Sequence, residues 1–361
     1  MPDENSSAKH VKPGGVRRVM SNLGVLLGGR AINAPLSLLH IWLATRLLGS
    51  VNFGLVAMMY AFARTIGDIV DFQSWQTVLQ YGLRPLTDGK RQEFQKIVGF
   101  SLLLDCCGGL LGFFGGTAIS LLCMNMLGWP PQIHVIGVIY CVSILFMASA
   151  TPMGLLRVFN RYDLLAVQGT VATIVRVIGT ASMALGWASL PALAGVWIAA
   201  EIAAWGTIFF MAAREMKNRD LVRGLFHETC ALIPDLKSGR FFKAHPGIWR
   251  FALTTNLNST LALAFGHIGT LVVGAFVGPA SAGYYRIASQ IAAGIAKPAT
   301  LIQTTVYPEM ARLWRDRATK RLYRLTIQIA LMAGAIGTAL LVPTLVAGKP
   351  QIGIASCRAR V

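Results

Sequence analysis

Apolar residues dominate this chain in long runs, and polar residues fall between the runs rather than inside a helical or strand period. Runs of roughly twenty residues recur along its length, which is the length an α-helix needs to cross a bilayer and too long for the strands of a barrel. Nine spans can be drawn: 19–44, 53–80, 97–127, 132–156, 163–188, 191–213, 248–276, 283–307 and 323–343. A polar tail, 1–18, precedes them, and the first run is too long for a cleaved leader. The expected architecture is all-α and integral to the membrane. A six-helix bundle over 19–213 is joined by a linker, 214–247, to the first three helices of a second bundle, 248–343, and residues 344–361 form an irregular tail. Within the linker, Leu221, Val222, Leu225, Phe226 and Cys230 share one face. That predicts a helix lying on the membrane surface and ending at Pro234.

One unit recurs. Gly49 to Gly54 is a Gly-x4-Gly turn after an apolar run, and Gly278 to Gly283 is another. An internal repeat in a polytopic chain predicts two bundles facing each other across a central site.

Composition agrees. Hydrophobic residues make up 54% and charged residues 13% of the chain, with a mean hydropathy of +0.57. A soluble protein carries about 25% charged residues. The net charge of +18 would suggest nucleic acid in a soluble protein. Here 24 of the 33 Lys and Arg lie in alternate loops beside span ends, at 1–18, 81–96, 157–162, 214–250 and 309–324. The other loops are nearly bare, so the charge records topology: the N-terminus in the cytoplasm, and Gly49, Trp129, Leu190 and Gly278 outside. No nucleic-acid partner is expected. The six cysteines show neither metal-ligand nor disulfide spacing and read as packing residues. No metal or cofactor motif is present in the sequence.

Chemistry is concentrated in ions inside the spans, where each costs roughly 2.5–3.5 kcal/mol on insertion scales. At about 1.5 Å per residue, Arg30 lies roughly 18 Å into its span, Arg64 about 16 Å, Arg176 roughly 19 Å and Lys297 about 21 Å. All four fall near mid-depth. Asp105 and Glu201 do too, with Asp68 and Asp71 lower. Arg64 and Asp68 are four apart and can pair on one helix face, whereas Arg30 and Arg176 have no acidic residue three or four positions away. Arg30, Arg64, Arg176 and Lys297 are candidates for a cationic cavity that holds an anionic substrate. Asp68, Asp71, Asp105 and Glu201 are candidates for coupling to an ion, with polar helix packing the competing reading. Arg286, beside a bare turn, reads as an interfacial anchor, and His40, His134 and His267 as interfacial packing. Pro35, Pro152 and Pro298 are expected to kink their helices.

The run Leu47-Leu-Gly-Ser-Val-Asn-Phe-Gly54, the run Leu271-Val-Val-Gly-Ala-Phe-Val-Gly-Pro-Ala-Ser-Ala-Gly-Tyr-Tyr-Arg-Ile-Ala288 and Tyr307-Pro-Glu-Met-Ala-Arg-Leu313 before a basic loop resemble the polysaccharide-transport flippases. These form the lipid-linked oligosaccharide branch of the MATE-like flippase superfamily. The resemblance covers about residues 18–345. It implies a non-enzymatic transporter in the cytoplasmic membrane that moves an undecaprenyl-diphosphate-linked oligosaccharide by alternating access. It also implies membrane lipids and other polysaccharide-assembly proteins as partners. Two departures stand out. The family often has an acidic residue in the seventh helix, where this chain reads Phe265-Gly-His-Ile-Gly269, so a carboxylate role does not carry over to His267. The family also has twelve or more helices in equal halves, and six plus three here predicts a second half cut short. Two other classes compete. A MATE-like drug or ion antiporter shares the fold, but a basic interior favours an anionic substrate over a cationic drug. A membrane polysaccharide polymerase, ligase or glycosyltransferase would need longer outer loops or a dense polar cluster.

Overall fold

The computed structural model describes residues 13–123, 129–293 and a few positions between 323 and 334. Side chains are described from residue 33 onward, with short gaps at 34, 123, 132, 258–259 and 261–265. The chain divides into two units, Met1–Arg286 and Ile287–Val361. Among the described residues every regular element is helical, and five stretches are long and apolar enough to cross a membrane. This is an all-α multi-pass membrane protein. The last two expected spans, 283–307 and 323–343, lie largely outside the described residues.

The first element, α1, is Pro13–Val70, broken at Gly49 (φ 80°, ψ 165°). Unbroken, its 58 residues would reach about 87 Å, against a hydrocarbon core of about 30 Å. The break folds the helix back on itself. His40 and Tyr60, on opposite sides of Gly49, touch the same indole, that of Trp197. Pro35 sits within the first arm, whose backbone stays in helical geometry there.

Two expected spans are interrupted. The second does not run on to Gln80: α1 ends at Val70, and Gln73 takes a left-handed conformation (φ 49°). The Asp71 carboxylate causes this turn. It accepts from the Gln73 backbone N–H at 3.1 Å and from Gln73 Nε2 at 2.9 Å, an Asx-type turn that offers the backbone an alternative to the helix. The chain resumes as α2 (Ser74–Thr77), a π-helical turn (Val78–Gly82) and α3 (Leu83–Thr87). The fourth span is likewise split, into α5 (His134–Tyr140), a 3₁₀ segment (Cys141–Phe146) and α6 (Ala150–Val158). Pro152 falls in the first turn of α6, where its missing N–H costs no helical bond. It marks a restart rather than a kink.

Between these breaks runs the uninterrupted α4, Arg91–Cys123. Its small residues permit close approach: a Cβ on Gly108 would stand 2.4 Å from the Val70 carbonyl oxygen, and one on Gly112 would stand 2.8 Å from both Ile144 and Val70 side-chain atoms. Glycines four apart packing helices tightly is a recurrent device in membranes. α7 (Tyr162–Ser182) and α8 (Leu190–Asn218) close the bundle. Ser189 Oγ caps α8 by accepting from the Ala192 N–H at 3.3 Å, beside Pro191.

The linker forms α9 (Leu225–Lys237) and α10 (Arg240–Ala244). Pro234 lies inside α9 rather than ending it, and Leu221 is buried beneath Gln95, whose Nε2 donates to the Leu221 carbonyl at 2.7 Å. Lys96 on α4 bonds Asp235 on α9 at 3.0 Å, and Leu232 and Phe241 pack on Phe100 and Leu104. α11 (Ile248–Val277) then runs along the second arm of α1 and ends at Gly278 (φ 106°, ψ 167°), nearly the geometry of Gly49.

Candidate functional site

Tyr60 stands at the centre of the candidate site, on the second arm of α1. Its ring meets Trp197 of α8 edge-on, with centroids 5.1 Å apart, and His267 of α11 at 6.1 Å. Two guanidinium carbons lie near that ring: Arg176 of α7 at 5.2 Å and Arg286 at 5.0 Å. The negative face of a phenol ring attracts each cation, the more so where water is scarce. Arg176 also stands 4.6 Å from the Trp197 centroid and donates from Nη2 to Glu201 Oε1 at 2.5 Å. The Arg176 Nε is buried without a hydrogen-bond acceptor. Trp197 Nε1 donates to His40 Nε2 at 3.1 Å, which fixes the indole between the arms of α1.

A second cluster lies one helical turn further along α1. Arg64 Nε reaches Asp68 Oδ1 at 3.1 Å. Asp68 is only 2% exposed, and His267 Nε2 lies 3.8 Å from its other oxygen. Arg64, Asp68, Asp71 and Asp105 line a cavity of about 10 Å³, which has room for about a single water. Asp105 is engaged by both broken spans: Ser74 Oγ donates to Oδ1 at 2.5 Å and the Thr151 N–H donates to Oδ2 at 2.8 Å. A carboxylate at the N-terminal end of α6 is also favourably placed against the helix dipole. From α11, Asn256 Nδ2 donates to the Asp71 carbonyl at 2.6 Å and Thr260 Oγ1 to the Asp68 carbonyl at 3.1 Å. These satisfy carbonyls that the end of α1 leaves without helical partners.

Of the eight ions picked from sequence, the structure joins Arg64 with Asp68, Asp71 and Asp105, and Arg176 with Glu201. Arg176 has a partner after all, on the neighbouring helix where spacing along one helix could not reveal it. Arg30 lies on the helical backbone of α1, but its side chain falls outside the described residues, as does all of Lys297. Arg286, read as an interfacial anchor, instead turns to Tyr60 and to His267 Nδ1 at 3.5 Å. The reading missed Tyr60 and Trp197. Each stands four residues before a selected ion (Arg64 and Glu201), so a helical-face search from those ions would have found them.

Comparison with known proteins gives this arrangement a setting. The family described as polysaccharide biosynthesis protein matches residues 19–314. Inner membrane protein YghQ of Escherichia coli (strain K12) is 32% identical over 341 residues, covering 94% of this chain and 93% of that protein. Among solved structures, an inward-facing multidrug resistance MATE family transporter of the MOP superfamily superposes with a TM-score of 0.63 at 16% identity. That match covers 88% of this chain and 71% of the transporter, and it establishes a shared fold. On the match across most of its length, this chain belongs to the polysaccharide biosynthesis family of flippase-type membrane transport proteins.

Proposed function

We propose that the chain moves an undecaprenyl-diphosphate-linked oligosaccharide from the inner to the outer leaflet of the cytoplasmic membrane, by alternating access and without covalent chemistry. The observation that carries this reading is the charge balance around Tyr60. At the ring itself two guanidiniums, those of Arg176 and Arg286, stand against one carboxylate, Glu201. The excess at the ring is positive, whereas Arg64, one turn further along, shares its cavity with Asp68, Asp71 and Asp105. A diphosphate entering such a place exchanges its hydration for guanidinium hydrogen bonds, which are charge-assisted and able to grip two oxygens at once. By depth along the sequence alone, Arg30 and Lys297 are candidates for the same role. In this reading the basic loops and the N-terminus face the cytoplasm, and the lipid partners are the substrate and the surrounding bilayer.

Ion coupling falls to Asp68 and Glu201 in this proposal. Asp105 is committed to holding two helix ends, and Asp71 to the turn at Gln73. Asp68 and Glu201 each pair with an arginine that the substrate would also engage. Substrate and proton or sodium would then compete for the same partners. The proposal is tested by reconstituting the full chain in liposomes and following a fluorescent undecaprenyl-diphosphate-linked sugar. Leaflet exchange above that of protein-free vesicles supports it. Uptake of a cationic dye with no movement of the lipid would assign the chain to the antiporters instead.

A further inference from the structure

A separate cavity of about 420 Å³ opens in the first bundle and shares no lining residue with the Tyr60 cluster. Its wall includes Asn33 of α1, Trp75 of α2, Arg157 of α6, and Tyr162, Gln168 and Thr170 of α7. That size lies within the range of about 300–1,000 Å³ typical of small-molecule sites. The Arg157 guanidinium carbon stands 3.8 Å from the Trp75 ring centroid. The indole is held in place from behind: Trp75 Nε1 donates to Gln73 Oε1 at 2.8 Å, and Gln73 Nε2 donates to Asp71 at 2.9 Å. The interruption of the second span therefore sets the position of an aromatic platform.

The lining chemistry selects the occupant. Asn33 and Gln168 each offer both donors and an acceptor, and Thr170 and Tyr162 add hydroxyls, a set that matches vicinal hydroxyls and amides. Trp75 and Tyr162 supply apolar ring surface for C–H faces. An aliphatic tail would leave the amides unpaired, and a cation would meet Arg157. We infer that this cavity holds the saccharide headgroup of an amphiphilic substrate, with the Trp75–Arg157 stack as its platform. This rests on the proposed lipid-linked saccharide as the substrate. It adds a sugar site apart from the arginines assigned to the diphosphate, and Arg30 stands one helical turn before Asn33 on α1.

The test measures binding of two probes, undecaprenyl diphosphate and undecaprenyl-diphosphate-N-acetylglucosamine, to the full chain in nanodiscs. Trp75→Ala and Gln168→Ala should each weaken binding of the sugar-bearing lipid by about tenfold, equivalent to about 1.4 kcal/mol, and leave the sugar-free lipid unchanged. Trp75→Phe, which keeps a ring, should retain most of the affinity. Equal losses on both lipids, or no loss with either variant, would overturn the inference and leave the transport reading standing. Failure of the parental chain to bind either lipid would overturn the transport reading, and the sugar site with it.

Discussion

Gly54 and Gly283, the closing glycines of the two repeated turns, stand against each other. A Cβ built on Gly283 would lie 3.3 Å from the Gly54 Cα, and one built on Gly54 would lie 1.8 Å from the Pro279 carbonyl oxygen. The opening glycines match as well, Gly49 at φ 80°, ψ 165° and Gly278 at φ 106°, ψ 167°. The repeat seen in the sequence is thus a pair of like turns packed backbone to backbone. Gly54→Ala should separate them, at a cost of roughly 1–3 kcal/mol for overpacking against a carbonyl that cannot rotate away. A melting curve in detergent should show the loss, while Gly195→Ala, where no atom lies within 4 Å of the added carbon, should melt as the parent does. Equal melting of both variants would contradict this packing.

Asp105 is predicted to act in stability and not in coupling. Asp105→Leu leaves the Ser74 hydroxyl and the Thr151 N–H without their acceptor, at about 1–3 kcal/mol for each buried group stranded. Asp105→Asn keeps an acceptor and should recover much of that loss. The pH profile of transport, measured on the folded Asp105→Asn protein, should match the parent's. A profile flattened by this substitution would restore Asp105 as a coupling residue.

Arg176 and Glu201 should prove strongly coupled. Glu201→Ala strands a guanidinium within the bundle, a change that typically costs about 3–5 kcal/mol. Arg176→Met with Glu201→Ala together should cost less than either single change would suggest. Additive losses in this double-mutant cycle would mean that the pair is not a unit.

The docking of α9 should depend on acid. Lys96 bonds the Asp235 carboxyl and holds it below its usual range. A depressed folded value adds stability above the unfolded value, about 3.9, and that stability is lost as pH falls through the folded one. Protection factors for amide exchange in residues 225–237, which divide out the intrinsic pH dependence, should therefore fall in strong acid and stay constant between neutral pH and mildly acidic conditions. Lys96→Met should shrink the dependence to the part that Arg240, 3.6 Å from the same carboxylate, still supplies. An unchanged acid response in that variant would assign it to other groups.

Much of this was legible in the sequence because bilayers impose coarse rules. The all-helical membrane fold, the bare turn at Gly49 and the repeat at Gly278 followed from apolar run length and glycine spacing. Two kinds of feature were not legible. The breaks at Gln73 and before Ala150 sit inside apolar runs, and their causes are the Asp71 side chain turning back on its own backbone and Asp105 reaching across from α4. Run length is blind to both. The Arg176–Glu201 pair joins neighbouring helices, so no spacing within one helix announces it. Arg286 was placed by distance along the chain from a bare turn, whereas packing against Tyr60 decides where it points.

The central claim, that interior guanidiniums grip a diphosphate, is tested most directly by leaflet-exchange rates in proteoliposomes carrying the full chain. The substrate is a fluorescent undecaprenyl-diphosphate-linked sugar, and Arg64→Gln, Arg176→Gln and Arg176→Lys are compared with the parent at equal folded protein. Glutamine removes both charge and fork, whereas lysine keeps the charge alone. Each Arg→Gln change should slow exchange by at least about tenfold, equivalent to roughly 1.4 kcal/mol, and Arg176→Lys should keep an intermediate rate. Parental rates in both glutamine variants would contradict the account and return these arginines to helix packing.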